Sequence, residues 1–178
     1  MKILKNSEVY VYKLNIMTNE KNFEDRIGLQ FLQEKIVALK QEIGKVLVGK
    51  EEIVDLILIA ILSNGHILLE GVPGIAKTMI AKLMAKMSAV KYSRIQFTPD
   101  LMPSDVTGTR VYNVSKSVFE FNAGPVFANM ILIDEVNRAP AKTQSALFEV
   151  MEERQVTIDG TTHILEEPFI VLATQNPL

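Results

Sequence analysis

The chain has 178 residues, about the length of one domain, and its 48% hydrophobic and 22% charged residues are typical of a soluble α/β protein rather than a disordered one. Nineteen basic and 21 acidic side chains leave a net charge of −2, so no global positive field attracts nucleic acid or an anionic membrane. With no cysteine, two histidines and no bilayer-length apolar run, the sequence excludes disulfides, argues against zinc and membrane spans, and favours a cytoplasmic location.

The first part of the chain changes character after about residue 25. Residues 1–25 show no sustained hydrophobic period and are predicted to form a weakly ordered leader, whereas residues 26–178 are predicted to form the folded core. From Leu29 an apolar stripe with steps of three and four predicts an amphipathic helix that ends near Gly44. A second helix with the same periodicity is predicted after Gly49, and Asn64-Gly65 ends it.

The middle of the chain reads as a strand, a glycine-containing loop and a helix. His66–Leu69 is a short apolar run that meets the loop at Gly71, and strong helix formers follow from Lys77 to about Met87. The β-rich run Ser93–Phe97 comes next and ends at a proline.

The remaining elements alternate between hairpins and apolar strands. The predictions are a hairpin over Arg110–Asn122, a buried strand at Met130–Ile133, a helix at Ala141–Glu153, a second hairpin over Val156–Leu165 and a last strand at Phe169–Ala173. Four uniformly apolar strands separated by helices or long connections predict an α/β fold with three layers, in which helices cover both faces of a mainly parallel sheet.

The loop GVPGIAKT, Gly71–Thr78, follows the phosphate-binding pattern G-x-x-x-x-G-K-[ST] except that Ala76 replaces the second glycine. In that pattern backbone N–H groups converge on phosphate oxygens at a helix N-terminus. Lys77 would contact the β- and γ-phosphates of ATP, and the Thr78 hydroxyl would bind Mg²⁺. The alternative is a plain strand-to-helix turn. The predicted nucleotide-binding residues are Gly71, Val72, Pro73, Gly74, Ile75, Ala76, Lys77, Thr78 and Met79.

Two adjacent carboxylates, Asp134 and Glu135, end the strand MILI. The carboxyl ends of strands are where ligands of open α/β sheets bind. Asp134 is predicted to hold Mg²⁺ through a water, and Glu135 to polarise the water that attacks the γ-phosphate. The alternative is a solvated turn whose acids cap the following helix.

The last strand ends in the polar segment ATQNP. Asn176 is a candidate sensor of the γ-phosphate, because its amide could orient the attacking water. An Asn-Pro turn is the alternative interpretation. Gln96, on the second predicted strand of the core, is a further candidate to contact Glu135.

With GVPGIAKT, ILIDE and ATQNP in order, joined by FTPDLMPSDVTGT and DEVNRAPAKTQSALFEVMEERQV, the chain resembles the MoxR family of AAA+ ATPases from about Val46 to Leu178. The family loop usually carries alanine before the lysine, so the resemblance implies that Ala76 is native to the motif. It also implies the AAA+ P-loop NTPase fold, with the hairpin at Arg110–Asn122 as an insertion. The implied activity is Mg²⁺-dependent ATP hydrolysis in a homo-oligomeric ring, commonly a hexamer, with chaperone-like roles often directed at von Willebrand A domain proteins.

The family core also has a fifth strand, an arginine finger and a helical lid, which the resemblance places beyond Leu178. Arg138 and Arg154 are candidates for contacting a neighbouring subunit, against the simpler interpretation of solvated helix-end arginines. Two functions therefore stay open: an ATP-hydrolysing chaperone-type ATPase, with Lys77, Glu135 and Asn176 as catalytic residues, or a nucleotide-binding or assembly module with little turnover. A GTPase has no guanine-recognition motif to support it, and a DNA motor has no basic run.

Overall fold

The computed structural model describes residues 9–12, 24–46, 49, 51–70 and 75–175. Within them the chain forms strands and α-helices, with one 3₁₀ turn at Val136–Arg138. The elements are β1 (Val9–Tyr12), α1 (Glu24–Gly44), α2 (Glu51–Leu62), β2 (His66–Glu70), α3 (Ile75–Met87), β3 (Tyr92–Gln96), α4 (Pro103–Thr107), β4 (Gly108–Asn113), β5 (Val118–Ala123), β6 (Met130–Asp134), α5 (Ala141–Glu153), β7 (Gln155–Ile158), β8 (Thr161–Ile164) and β9 (Ile170–Gln175).

The main sheet has the strand order β1-β2-β9-β6-β3. Strands β2, β9, β6 and β3 pair in parallel, and β1 pairs antiparallel with β2. The four parallel strands are those predicted from the apolar runs, and the α/β fold of the P-loop NTPase type is confirmed. Because β9 lies between β2 and β6, the last strand neighbours both the strand that leads into the phosphate loop and the strand that carries the acidic pair.

Two apolar cores sandwich this sheet, one on each face. Alternate residues of a strand point to opposite faces, so β6 sends Met130 and Leu132 to one core and Ile131 and Ile133 to the other. Helices α1, α2 and α3 cover the first face, and α5 covers the second. The fully buried side chains of the first core include Ile57, Ile67, Ile80, Met84 and Leu172, and those of the second include Phe97, Val126, Leu147 and Val171. Burial on both faces explains why these strands read as continuous apolar runs.

Both predicted hairpins are present and contact each other. Strands β4 and β5 pair over Gly108–Asn113 and Val118–Ala123, and β7 and β8 pair over Gln155–Ile158 and Thr161–Ile164. The Phe121 ring stacks on His163 with 4.0 Å between ring centroids, and Phe127 packs edge-on against both rings. The inserted hairpin is thus tied to the hairpin that precedes β9.

The amino-terminal part of the chain differs from the prediction in two respects. Val9–Tyr12, within the predicted leader, forms the edge strand β1 and pairs with all but the last residue of β2. Helix α1 begins at Glu24, two residues before the predicted start of the folded core at residue 26. The division into a leader and a core at residue 25 otherwise stays a prediction. In the described part of the chain, no helix combines the length and the apolar character needed to cross a membrane.

Candidate functional site

Polar residues end the parallel strands at one edge of the sheet. Gln96 is in register with Asp134, and Glu70 is in register with Gln175. The carboxyl ends of parallel strands share an edge, so the strand leading into the phosphate loop, the acidic pair and the predicted sensor segment all converge there. The strand order brings together what the sequence scatters over about a hundred residues.

The phosphate loop lies only partly within the described residues. Gly71, Val72, Pro73 and Gly74 fall outside them, as does Asn176, and the side chains of Ile75, Ala76 and Lys77 are likewise not described. The backbone of α3 begins at Ile75, so Lys77 and Thr78 belong to its first turn. Thr78 is half-buried and Met79 is exposed. The motif therefore has the strand before it and the helix after it that phosphate binding requires, and the roles of its residues stay predictions.

Asp134 is held at both carboxylate oxygens. Its Oδ2 accepts a hydrogen bond from Arg94 Nε at 2.7 Å, and its Oδ1 accepts one from Thr174 Oγ1 at 3.3 Å. The side chain of Asp134 is 15% exposed, whereas that of Arg94 is 51% exposed. The hydrogen bond to Asp134, reinforced by the attraction of opposite charges, raises the pKa of Arg94 above its ordinary value.

Glu135 stands in an unusual backbone conformation directly after Asp134. Its φ of 58° and ψ of 51° lie in the left-handed region, which residues other than glycine seldom adopt. The Glu135 N–H donates to Thr174 Oγ1 at 3.1 Å. Because the same hydroxyl donates to Asp134, Thr174 fixes the two acidic residues relative to each other. Strained residues of this kind persist where the surrounding contacts over-determine them, commonly at functional sites.

The Glu135 carboxylate contacts both a predicted and an unpredicted partner. Gln96 Nε2 donates to Glu135 Oε2 at 3.2 Å, which confirms the predicted contact between these residues. Arg138 Nη1 donates to the same oxygen at 2.7 Å. Each acidic side chain of the site therefore has its own arginine partner, Arg94 for Asp134 and Arg138 for Glu135, and in both pairs the closest approach is the same.

The two arginines weighed for a neighbouring subunit both make contacts within their own chain. Arg138 pairs with Glu135, and Arg154 Nη2 donates to the carbonyl of Asn64 at 2.9 Å. The Arg154 guanidinium also lies 5.9 Å from the centre of the Phe169 ring. Arg154 thus links the end of α2 to the start of β9, whereas Arg138 belongs to the site.

The donor set suits Mg²⁺ better than a metal that needs a protein cage. Among the described residues, no group of three or more histidine, aspartate or glutamate side chains is placed to hold a metal ion. Magnesium is usually bound by one or two protein oxygens together with substrate phosphates and water. Asp134 and the Thr78 hydroxyl, at the carboxyl edge and at the start of α3, provide oxygens of this type.

Arg94 and Thr174 were not assigned to the site from the sequence. The register of β3 against β6 could have suggested Arg94, because it lies on the same strand as Gln96 with one residue between them. Thr174 lies in the polar segment after the last apolar run, but its contact with both acidic residues depends on the placement of β9 beside β6.

One protein family and several known proteins are similar to this chain. Residues 66–178 match the family described as ATPase family associated with various cellular activities (AAA). The chain is 52% identical over 137 residues to chaperone MoxR1 of Mycobacterium tuberculosis and 53% identical over 138 residues to the uncharacterised protein YeaC of Bacillus subtilis. These alignments cover 77% and 78% of this chain, but 36% and 43% of the relatives.

A solved structure with a similar fold is that of a candidate ATPase from Cytophaga hutchinsonii. It is 52% identical, superposes with a TM-score of 0.69, and the match covers 85% of this chain and 48% of that one. The chain therefore spans less than half the length of the relatives that it matches. The family match covers most of the described sheet, including both acidic residues, and the similar proteins include a named MoxR chaperone. The chain belongs to the AAA family of ATPases, as a member of its MoxR group.

Proposed function

We propose that the chain binds ATP with Mg²⁺ at the carboxyl edge of the parallel sheet and hydrolyses it as a MoxR-type chaperone ATPase. The observation that carries the proposal is the arrangement of Asp134 and Glu135. Both lie at the edge where β2 enters the phosphate-loop motif, and a single hydroxyl, that of Thr174, holds them. Membership of the family supports nucleotide binding in general.

The residues of the loop and of α3 would bind the phosphates. Backbone N–H groups from Gly71 to Thr78 would surround phosphate oxygens at the N-terminus of α3, where the helix dipole favours negative charge. Lys77 would neutralise the β- and γ-phosphates, and Thr78 and Asp134 would hold Mg²⁺. When bound, the ion offsets phosphate charge and helps to orient the γ-phosphate.

The residues at the ends of β3, β6 and β9 would act on the attacking water. Glu135 would accept its proton, because a carboxylate within hydrogen-bond reach of a water can serve as a general base. Asn176 would orient the water or sense the γ-phosphate through its amide, and Gln96 would hold the Glu135 carboxylate until substrate binds. If Oε2 is the oxygen that accepts the proton, its bonds with Arg138 and Gln96 would give way to one with water.

Assembly and partners form the outer part of the proposal. A homo-oligomeric ring, commonly a hexamer, would let a neighbouring subunit complete each site, and a von Willebrand A domain protein is the partner class that we expect. Chaperone MoxR1, at 52% identity, supports the chaperone role. A cytoplasmic location is part of the same expectation.

A nucleotide-binding or assembly module with little turnover is the second candidate function. The observation in its favour is that Arg138 and Gln96 both donate to Glu135 Oε2, one of the two carboxylate oxygens that could take the proton from water. Phosphate release above the level of the Lys77→Ala variant would exclude this second function, and ATP binding without such release would support it.

Thermal unfolding with and without ATP and Mg²⁺ tests nucleotide binding. At about 100 times its Kd, a ligand stabilises the folded state by about 2.7 kcal/mol, which raises Tm by roughly 5 to 11 °C for a chain of this size. Lys77→Ala should abolish this shift, because the charge that contacts the phosphates is lost. Lys82→Ala, an exposed lysine on the same helix, is the matched control and should keep the shift. An undiminished shift in Lys77→Ala would place the nucleotide elsewhere.

A further inference from the structure

Arg94 lies in a row of the sheet whose other parallel strands carry the apolar residues Leu132, Leu172 and Ile67. It lies in the middle of β3, an edge strand of the sheet, and is in register with Leu132 of β6. Leu132 is fully buried against α1, α2 and α3, and Tyr92 on β3 packs against the same core. The guanidinium extends along the strand direction to the carboxylate of Asp134, two residues further along β6.

The contact joins a largely buried carboxylate to a half-exposed cation. Asp134 is 15% exposed and Arg94 is 51% exposed, and the distance from Nε to Oδ2 is 2.7 Å. Removal of a carboxylate from water is costly unless charged or polar donors replace the water. Arg94 provides a charged donor and Thr174 a neutral one, so together they replace water at the Asp134 carboxylate and fix its orientation.

Asp134 is also the carboxylate proposed to hold Mg²⁺, so two cations share one acceptor. A carboxylate has about four lone-pair sites, and Arg94 and Thr174 use one on each oxygen, which leaves room for a metal-bound water. A guanidinium this close to a divalent cation nevertheless repels it, and it would attract the phosphates of ATP. Arg94 would therefore weaken the binding of Mg²⁺ and strengthen the binding of metal-free ATP.

We propose that Arg94 is a positioning residue that acts as the internal counter-ion of Asp134 and thereby sets how strongly nucleotide binding depends on Mg²⁺. The inference rests on the proposed ATP site. With Arg94 present, the charge of Asp134 is balanced before Mg²⁺ binds. The affinity for metal-free ATP is then higher, and Mg²⁺ increases the affinity for ATP by a smaller factor. Without Arg94, the unpaired carboxylate repels metal-free ATP and attracts Mg²⁺ more strongly.

The measured quantity is the ratio of two dissociation constants of ATP, one in EDTA and one in excess Mg²⁺, obtained by calorimetry. Free Mg²⁺ and ATP also associate in solution, but that equilibrium is the same for every variant and cancels in the comparison. Arg94→Gln should raise the ratio by about two- to fivefold, the size expected for a half-exposed ion pair. Arg94→Met, which also lacks the charge but keeps an apolar stem, should do the same.

Three comparisons separate this role from a purely structural one. Arg94→Lys keeps a cation beside Asp134 and should leave the ratio close to that of the unmodified chain. Arg110→Gln removes another arginine from an ion pair, with Asp159 at 3.8 Å between the two hairpins, and should leave the ratio unchanged. In chains that carry Asp134→Asn, replacing Arg94 should alter the ratio less than it does in the unmodified chain, because the part of its effect that acts through the charged carboxylate is gone.

The outcomes distinguish the inference from the proposed function. If the unmodified chain binds no ATP in either buffer, the proposed function fails and the inference fails with it. If that chain binds ATP but the uncharged variants keep its ratio, or weaken both dissociation constants equally, the role of Arg94 is overturned while the ATP site stands. A ratio raised equally by Arg94→Lys would also overturn it, since the charge would then not be responsible.

Discussion

Thr174 is the residue on which the geometry of the acidic pair depends. Its hydroxyl donates to Asp134 and accepts from the backbone of Glu135, and the residue is buried. Glu135 is in the left-handed conformation, so the bond from its N–H helps to hold a backbone that would otherwise relax. The two carboxylates of the pair have different hydrogen-bond partners, which allows one to serve a metal and the other a water molecule.

Glu135→Gln tests the division of labour within this pair. The amide keeps the shape of the side chain and an oxygen that can accept from Arg138, but it cannot take a proton from water. ATP binding should therefore remain within about twofold, while phosphate release should fall by about a hundredfold or more. Calorimetry and a phosphate-release assay measure the two quantities.

Glu149→Gln is the matched control for this substitution, because Glu149 is an exposed glutamate on α5. It should leave both binding and phosphate release unchanged. Simultaneous loss of binding and turnover in Glu135→Gln would instead mean that Glu135 serves the structure of the loop rather than the chemistry.

The sequence predicts those residues of the site whose polar side chains directly end an apolar strand. Asp134 and Glu135 are adjacent and end an apolar strand, and Gln96 ends another, so their contact could be foreseen. Arg94 and Thr174 could not be assigned in the same way. An arginine within a strand and a threonine after an apolar run are both ordinary, and only the register of β3, β6 and β9 places them beside Asp134.

At the scale of elements, the base of the inserted hairpin brings backbone atoms very close to two glycines. A Cβ atom on Gly124 would lie 2.3 Å from the carbonyl oxygen of Val106 and 2.4 Å from the amide nitrogen of Gly108. Gly108 itself has a φ of 92°, which favours glycine. The end of α4 and the two strands β4 and β5 therefore meet backbone to backbone.

Gly124→Ala should loosen this junction. The added methyl group meets backbone atoms that cannot move aside cheaply, so the free energy of unfolding should fall by about 1 to 3 kcal/mol, as for overpacked sites. Urea unfolding followed by circular dichroism measures the change. Gly28→Ala is the matched control with the opposite sign.

Gly28 lies within α1, and a Cβ there meets nothing within 4 Å. The same substitution should raise stability by about 0.5 to 1 kcal/mol at that position, because alanine is the better helix former. A neutral or stabilising effect of Gly124→Ala would show that the junction is looser than the distances indicate.

The secondary structure follows the sequence where local patterns are strong. The helices at Glu51–Leu62 and Ala141–Glu153 and the four apolar strands lie within a few residues of their predicted bounds. Strand β1 was not predicted, because Val9–Tyr12 shows no long period and its pairing with β2 joins residues more than fifty positions apart. Non-local pairing of a short segment leaves little trace in the sequence around it.

At the scale of the whole molecule, His66 connects three elements beneath the sheet. It begins β2, its Nδ1 accepts a hydrogen bond from the N–H of Val171 on β9 at 3.1 Å, and its Nε2 lies 3.3 Å from the carbonyl oxygen of Met151 on α5. Since Nδ1 accepts, the proton is on Nε2, and the ring is neutral. Burial lowers the pKa of His66, and the nearby charge of Arg154 lowers it further, although the bond to Met151 opposes this effect.

A depressed histidine pKa in the folded state makes stability depend on pH. Below about pH 6.5 the unfolded chain takes up a proton at His66, whereas the folded chain does so only at a lower pH. The unfolded state then binds more protons, so the free energy of unfolding falls as the pH decreases through this window. Above it the ring is neutral in both states, and the contribution of His66 is constant.

His66→Asn isolates this effect, because asparagine can still accept from Val171 but does not titrate. Urea unfolding at several pH values from about 8 to 5 gives the difference in free energy between the unmodified chain and the variant. That difference should be flat above about pH 7 and should then shift against the unmodified chain by up to about 1.4 kcal/mol per pH unit as the solution is acidified. The space left by the smaller side chain lowers stability at every pH and does not affect the slope. Parallel curves for the two proteins would mean that His66 accepts a proton as readily inside the fold as outside it, and that its link between β2, β9 and α5 does not require a neutral ring.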